Sequence, residues 1–147
     1  MISPILPRTA YFFQHSLNDN PSNVYLGSSD SIVPEIKATN AYRSAIASFK
    51  QSGSNYRWNY PVVFTSSNAS WDLYLSLHGT NMDSYSSGNR ITSYIRDRYD
   101  FQWMKYPYME RGISHEVVRI INNYAYIAQS IGAVVPYKIN ITIPDNK

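Results

Sequence analysis

The chain has no cysteine, so disulfide frameworks, thiolate zinc sites, iron–sulfur clusters and cysteine nucleophiles are excluded from the start. Its six glycines never form a Gly-x-Gly pattern, and no Walker-type lysine follows any of them, which removes the common phosphate-cradling loops. Only three histidines are present, His15, His78 and His115, and no Gly-x-Ser-x-Gly elbow surrounds a serine, so nothing selects a nucleophile with its base. Charge is sparse too. Charged residues make up 16 % of the chain against a typical value of about 25 %. No apolar run reaches the length of a membrane span, and the Pro-interrupted start at Met1–Thr9 does not read as a secretory leader. The compartment is left open between a particle and the cytoplasm.

In place of charge the chain uses Ser, Asn and Tyr, with fourteen tyrosines in 147 residues. That is the palette of contact surfaces, where Tyr supplies rigid area and Ser and Asn supply adaptable hydrogen bonds. The formal charge of +3 is small and dispersed, and so gives weak support for a phosphate-backbone partner. The richest stretch is 88–111, where Tyr94, Tyr99, Phe101, Trp103, Tyr106 and Tyr108 alternate with Arg90, Arg96, Arg98, Lys105 and Arg111. Rings and guanidinium groups together make recognition surfaces.

Three patterns point to regular structure. Residues 39–52 predict a helix, with Thr39 or Asn40 as cap, an Ala41/Ala45/Ile46/Phe49 stripe and Gly53 as its stop. Residues 114–130 predict a second, amphipathic helix with a wide apolar half that includes Val117, Ile120, Ile121, Tyr124, Ala125, Ile127, Ala128 and Ile131, ended by Gly132. Residues 137–143 predict a strand with Tyr137, Ile139, Ile141 and Ile143 on one face. Val24–Leu26 reads as a short strand, Thr9–Leu17 and Trp71–His78 as strands, Pro61–Thr65 as a strand start, 54–59 and 79–89 as loops, and 90–99 as a short helix. The expected fold is α+β, a mainly antiparallel sheet with helix 114–130 packed on one face. A helix-decorated β-sandwich or jelly roll is the alternative.

Weaker chemical signals have simpler readings. His115-Glu116 opens like a zinc-protease helix, but Arg119 stands where the second histidine is required. Glu35-Ile36-Lys37 matches the end of a metal-dependent nuclease signature, a triplet frequent by chance. Asp97 and Asp100 are flanked by Arg96 and Arg98 and so read as ion-pair partners.

Residues 1–8, with Pro4 and Pro7, read as an extended arm ahead of a single domain over 9–147, its apolar Ile2, Ile5 and Leu6 lying on the domain or on a neighbour. These features lead to a non-enzymatic structural or assembly protein, such as a component of a virus particle or other multi-subunit shell. It would be oligomeric, bind protein subunits of the same or a different chain, and need no cofactor or metal. Its partner-binding residues are expected to be Ile2, Ile5 and Leu6 of the arm and Arg96, Arg98, Tyr99, Trp103, Tyr106 and Tyr108 of the aromatic segment. A nucleic-acid-binding module using 90–111 is the second reading.

Overall fold

The structure, a computed structural model, describes residues 6–77, 79–101 and 113–147, with side chains in the last segment described from residue 119 onward. Ten elements follow one another: α1 (Pro7–Ser16), β1 (Val24–Leu26), α2 (Ile32–Lys37), α3 (Asn40–Ser52), β2 (Tyr56–Val63), α4 (Trp71–Ser76), β3 (Gly79–Ser87), β4 (Arg90–Tyr99), α5 (Ile113–Ser130) and β5 (Tyr137–Asn146). The strands form one five-stranded sheet in the order β1-β5-β4-β3-β2, antiparallel except for the β1–β5 pair. The fold is thus α+β, with helices against a mainly antiparallel sheet, rather than a sandwich of two sheets.

The sheet has one dry face and one wet face, as period-two strands dictate. On the dry face lie Met82 of β3, Ile91 and Ile95 of β4, and Ile139, Ile141 and Ile143 of β5, all buried. Over them pack Ile32, Val33 and Ile36 of α2 and Tyr42, Ile46 and Phe49 of α3, completed by Leu73 and Leu77 at α4. Phe12 of α1 joins the same core beside Tyr99, ring centres 5.9 Å apart.

Helix α3 forms where its sequence places it: Thr39 Oγ1 accepts from the Tyr42 amide at 3.2 Å, and Gly53 closes it. Helix α5 ends at Gly132, whose φ of 80° lets the amides of Gly132 and Ala133 reach back to the carbonyls of Gln129 and Ala128, a Schellman closure. No described helix is long and apolar enough to cross a membrane.

Several local expectations are corrected, among them the loop expected over 54–59, where β2 begins at Tyr56. Residues 9–17 form the body of α1, not a strand. Helix α1 has no capping side chain of its own, since Leu6 occupies that position. Its first-turn amides are satisfied instead by Asp72 of α4, from the Arg8 N–H at 3.2 Å and the Thr9 N–H at 2.8 Å. A cap 63 residues distant leaves no local trace. Because α1 begins at Pro7, the last two residues of the expected arm belong to the folded body. Residues 71–76 are helical, started by Ser70 accepting from the Leu73 amide, so the apparent alternation of Trp71, Leu73 and Leu75 was a short helix with Leu73 and Leu77 inward. Residues 79–87 are strand β3, not loop, and 90–99 are strand β4, not helix. They join through a two-residue turn at Gly88-Asn89, where Gly88 has φ 57°.

Candidate interaction surfaces

The wet face of the sheet is built from alternate residues of all five strands. Tyr85 of β3 lies opposite Tyr56 of β2 on one side and Thr92 of β4 on the other. One register step along, Asp83 lies opposite Tyr94, and one step further Asn81 lies opposite Arg96, whose other neighbour is Asn140 of β5. Asn140 in turn pairs with Tyr25 of β1, and Arg98 faces Lys138.

The rings on this face make a continuous ribbon. Tyr56 and Trp58 centroids are 6.3 Å apart, Trp58 and Tyr85 5.1 Å, and Tyr85 and Tyr94 5.9 Å, the last two edge-to-face. Trp58 is 56 % and Tyr56 61 % exposed, far more than aromatic side chains that serve a core. A bulge in β2 presents them. Between Arg57 and Tyr60 the register with β3 shifts, and Asn59 takes φ 51°.

The bulge is held by charge. Asp83 Oδ1 accepts from the Asn59 amide at 2.9 Å and from Arg96 Nη2 at 2.9 Å, while Arg96 also donates to Asn59 Oδ1 at 2.7 Å. The one carboxylate at the centre of the face is therefore neutralised in place. Beside it is a shallow depression of about 570 Å³ bordered by Tyr25, Asn81, Arg96, Arg98, Lys138 and Asn140, with Asp97 and Asp100 also on its rim. Arg98 is exposed and lies 3.6 Å from Asp100.

Asp97 points to the other side of β4, and burial pushes its carboxyl up to about 7 even though the Arg98 amide favours the charged form. Arg57 also turns inward, donating to the Ala45 carbonyl at 2.6 Å with its guanidinium 3.7 Å over the Tyr60 ring. It clamps α3 to β2.

A second surface belongs to α5. Its Asn123 and Ala125 are buried and Asn122, Ala128 and Gln129 half-buried, and Gln129 exchanges hydrogen bonds with the Phe101 backbone at 2.9 and 3.3 Å. The opposite side carries Ile120, Ile121, Tyr124, Ile127 and Ile131, between 51 and 78 % exposed. The helix thus meets the body with its small and polar side and turns its apolar stripe outward, the reverse of the usual surface helix.

No family model, curated protein or solved structure matches this chain. Its chemistry is read from the residues alone.

The residues named from sequence fall into three groups. Arg96 and Arg98 are on the wet face, as a recognition role requires. Tyr99 is in the core, stacked among Phe12, Phe101 and Tyr137, so its ring is a packing element. Leu6 is half-buried at the start of α1. Ile2, Ile5, Trp103, Tyr106 and Tyr108 lie outside the described residues, as do His78 and the side chains of His115 and Glu116.

Sequence reasoning missed Tyr56, Trp58 and Tyr85 as members of one surface, because 54–59 and 79–89 read as loops. The available signal was Gly88-Asn89, a two-residue hairpin turn that brings Tyr85 alongside the Tyr94/Arg96/Arg98 alternation.

Among the described residues, Glu35, Lys37 and His15 each have partners within the fold. Glu35 and Lys37 sit on helix α2 and are held apart: Glu35 pairs with Arg8 at 2.7 Å, Lys37 with Asp145 at 3.1 Å. His15 Nε2 lies 2.8 Å from the Ser22 carbonyl, its ring edge-on to Tyr137. A polar chain runs from Ser84 through Ser93 (3.0 Å) and Tyr42 to Asp145 and Lys37. Burial, then Asp145, raises the Tyr42 phenol far above its ordinary value, which makes it a fixed donor to Asp145. Among the described residues no group of three or more His, Asp or Glu could hold a metal ion.

Proposed function

We propose that this chain is a non-enzymatic assembly protein that associates with a second copy of itself through α5. The observation that carries the reading is the outward apolar stripe. Ile120, Tyr124, Ile127 and Ile131 are separated by four, three and four residues, the spacing of a knobs-into-holes seam, and all are exposed. Left in water, that stripe is on the order of several hundred Å² of contiguous apolar surface, at the upper limit for a monomer.

A second α5 is the matching occupant. The positions flanking the seam carry Ile121, Asn123, Ala128 and Ser130, with no charge among them. Two identical helices therefore meet without like-charge repulsion, and a charged partner helix gains nothing from them. The low overall charge further eases close packing of copies.

Ile127→Asp tests the proposal by light scattering after size exclusion. Each Ile buried is worth about 1.5–3 kcal/mol, and a twofold interface counts the change twice, so dissociation should strengthen by about 10²–10⁴-fold. The expected result is a defined oligomer for the parent chain and a folded monomer for the variant. A monomeric parent at tens of micromolar (a concentration of order 10⁻⁵ M), or a variant of unchanged mass, overturns it. Deleting residues 1–5, which leaves α1 and its Asp72 cap intact, separates any contribution of the N-terminal arm from that of the helix.

A further inference from the structure

From the wet face of the sheet we infer a binding platform for single-stranded nucleic acid. Two independent features of that face converge on this ligand. The first is the ring ribbon: Trp58 and Tyr56 have more than half of their surface open, and Tyr94 continues the ribbon on the next strand but one. Flat rings offered to solvent take up unstacked bases, and base–aromatic stacking tolerates any sequence. A duplex offers no such faces, since its bases are already stacked on one another.

The second is charge. Beside the ribbon the same face carries Arg90, Arg96, Arg98 and Lys138. The acids that answer them are Asp83, pinned by Arg96 and the Asn59 amide, and Asp100 beside Arg98. Across the face there are four cations against two carboxylates; Arg96, Arg98 and Lys138 lie at one end, and Arg90 lies at the hairpin end opposite Ser87 and Asn146. Arg98 and Lys138 are direct cross-strand neighbours, where two like charges oppose each other unless an anion lies between them. The depression between Tyr25, Asn81, Arg96 and Lys138 is at that end, and Asn81 and Asn140 add amide donors and acceptors.

A strand laid diagonally across the sheet would place bases on Trp58 and Tyr94 and its phosphates over Arg96, Arg98 and Lys138. From β2 to β5, three inter-strand spacings of about 4.8 Å give about 14 Å across the sheet, longer along the diagonal, matching a short footprint of about four nucleotides. An uncharged sugar would use the rings and leave the cations idle. A polyanion without bases would do the opposite. Only a ligand with both flat rings and phosphates engages the whole face.

The experiment is fluorescence anisotropy with a labelled oligothymidylate of about twelve nucleotides, at about 50 mM salt and then at rising salt. Two variants accompany the parent chain: Trp58→Ala/Tyr94→Ala, which removes rings that are 56 % and 39 % exposed, and Arg98→Gln/Lys138→Gln, which leaves the Asp83 cluster untouched. The parent should bind, duplex of the same length should bind more weakly, and affinity should fall steeply with salt.

Removing the rings should weaken binding by at least about fivefold per ring while leaving the salt slope unchanged. Removing the cations should lower the slope of log K against log salt by about 1.4, from about 0.7 per lost phosphate contact. Absence of binding at low salt overturns the inference. So does equal binding of duplex, or a ring variant that binds like the parent. Heparin that binds the ring variant as well as the parent, with the oligonucleotide unaffected, would reassign the face to simple polyanion exchange. The platform and α5 share no residue, so failure of one proposal leaves the other standing.

Discussion

Asp72 holds the first turn of two helices at once, and Asp72→Ala measures what that is worth. Its carboxylate accepts from the Arg8 amide at 3.2 Å, the Thr9 amide at 2.8 Å and the Thr9 hydroxyl at 2.8 Å, and lies 3.5 Å from the Arg8 guanidinium. The two amides are the ones a capping side chain normally serves, and loss of such a cap costs about 1 kcal/mol and up to about 2. The charge also sits in the first turn of α4, where it complements that helix's dipole by a further few tenths, about 0.3–1 kcal/mol. Arg8 keeps Glu35 at 2.7 Å, so no cation is left stranded. The sum is about 1–3 kcal/mol. With a urea dependence of about 1–3 kcal/mol per M, the midpoint of unfolding should fall by roughly 0.5–3 M with unchanged slope. Asp72→Asn keeps one acceptor oxygen and should lose about half as much. A midpoint shift below about 0.3 M for Asp72→Ala, or an Asn variant as unstable as the Ala variant, would refute the remote cap.

Two further outcomes follow from buried polar groups. The Asp97 carboxyl titrates at about 7 in the fold against an ordinary value of 3.8, so the folded chain holds a proton that the unfolded chain releases. Its contribution is intact below about pH 4 and is lost as pH rises through 7; Asp97→Asn should therefore gain about 2–4 kcal/mol over the parent at pH 8 and nothing at pH 4, measured by urea melts at both. In Tyr42→Phe, Asp145 keeps Lys37 but loses the phenol, and Ser93 loses a neighbour, for a loss of about 1–2 kcal/mol in thermal or urea unfolding; a variant as stable as the parent would show that the polar chain holds nothing.

Elements that carry their own signals were readable from sequence. Thr39 and Gly53 bracket α3, Gly132 closes α5, and the Ile139/Ile141/Ile143 alternation marks β5. Those whose signals lie elsewhere were not. Helix α1 is capped by a residue of α4, and α4 has only six residues, too few for a helical period to outweigh an accidental alternation. Strand β3 puts Thr80, Ser84 and Ser86 on its dry side, with Met82 the one large apolar side chain there, so period two is hidden in a run of polar residues. In β4 the spacing of Ile91, Tyr94, Ile95 and Arg98 imitates a helix, yet the residues turned inward are Ile91, Ser93, Ile95 and Tyr99.

The candidate surfaces were legible in part. Arg96 and Arg98 stood out by composition, but the rings that accompany them come from β2 and β3 and meet only once the sheet is formed. The apolar stripe of α5 was visible as hydrophobicity. Its direction depends on which side of the helix Phe101 holds.

The strand order β1-β5-β4-β3-β2 places the last strand of the chain in the interior of the sheet, between the first strand and the fourth. During synthesis β2, β3 and β4 can pair as soon as the Gly88-Asn89 turn and β4 emerge, but β1 has nothing to pair with until β5 leaves the ribosome. For that interval Ile91 and Ile95 lack the neighbours Asp145 and Ile141 that complete their row, and α2 and α3 lack half of the floor they pack upon. Folding of this chain is therefore committed late, by a segment more than 110 residues downstream of its parallel partner, a separation that slows closure and lengthens the time apolar strands stay uncovered.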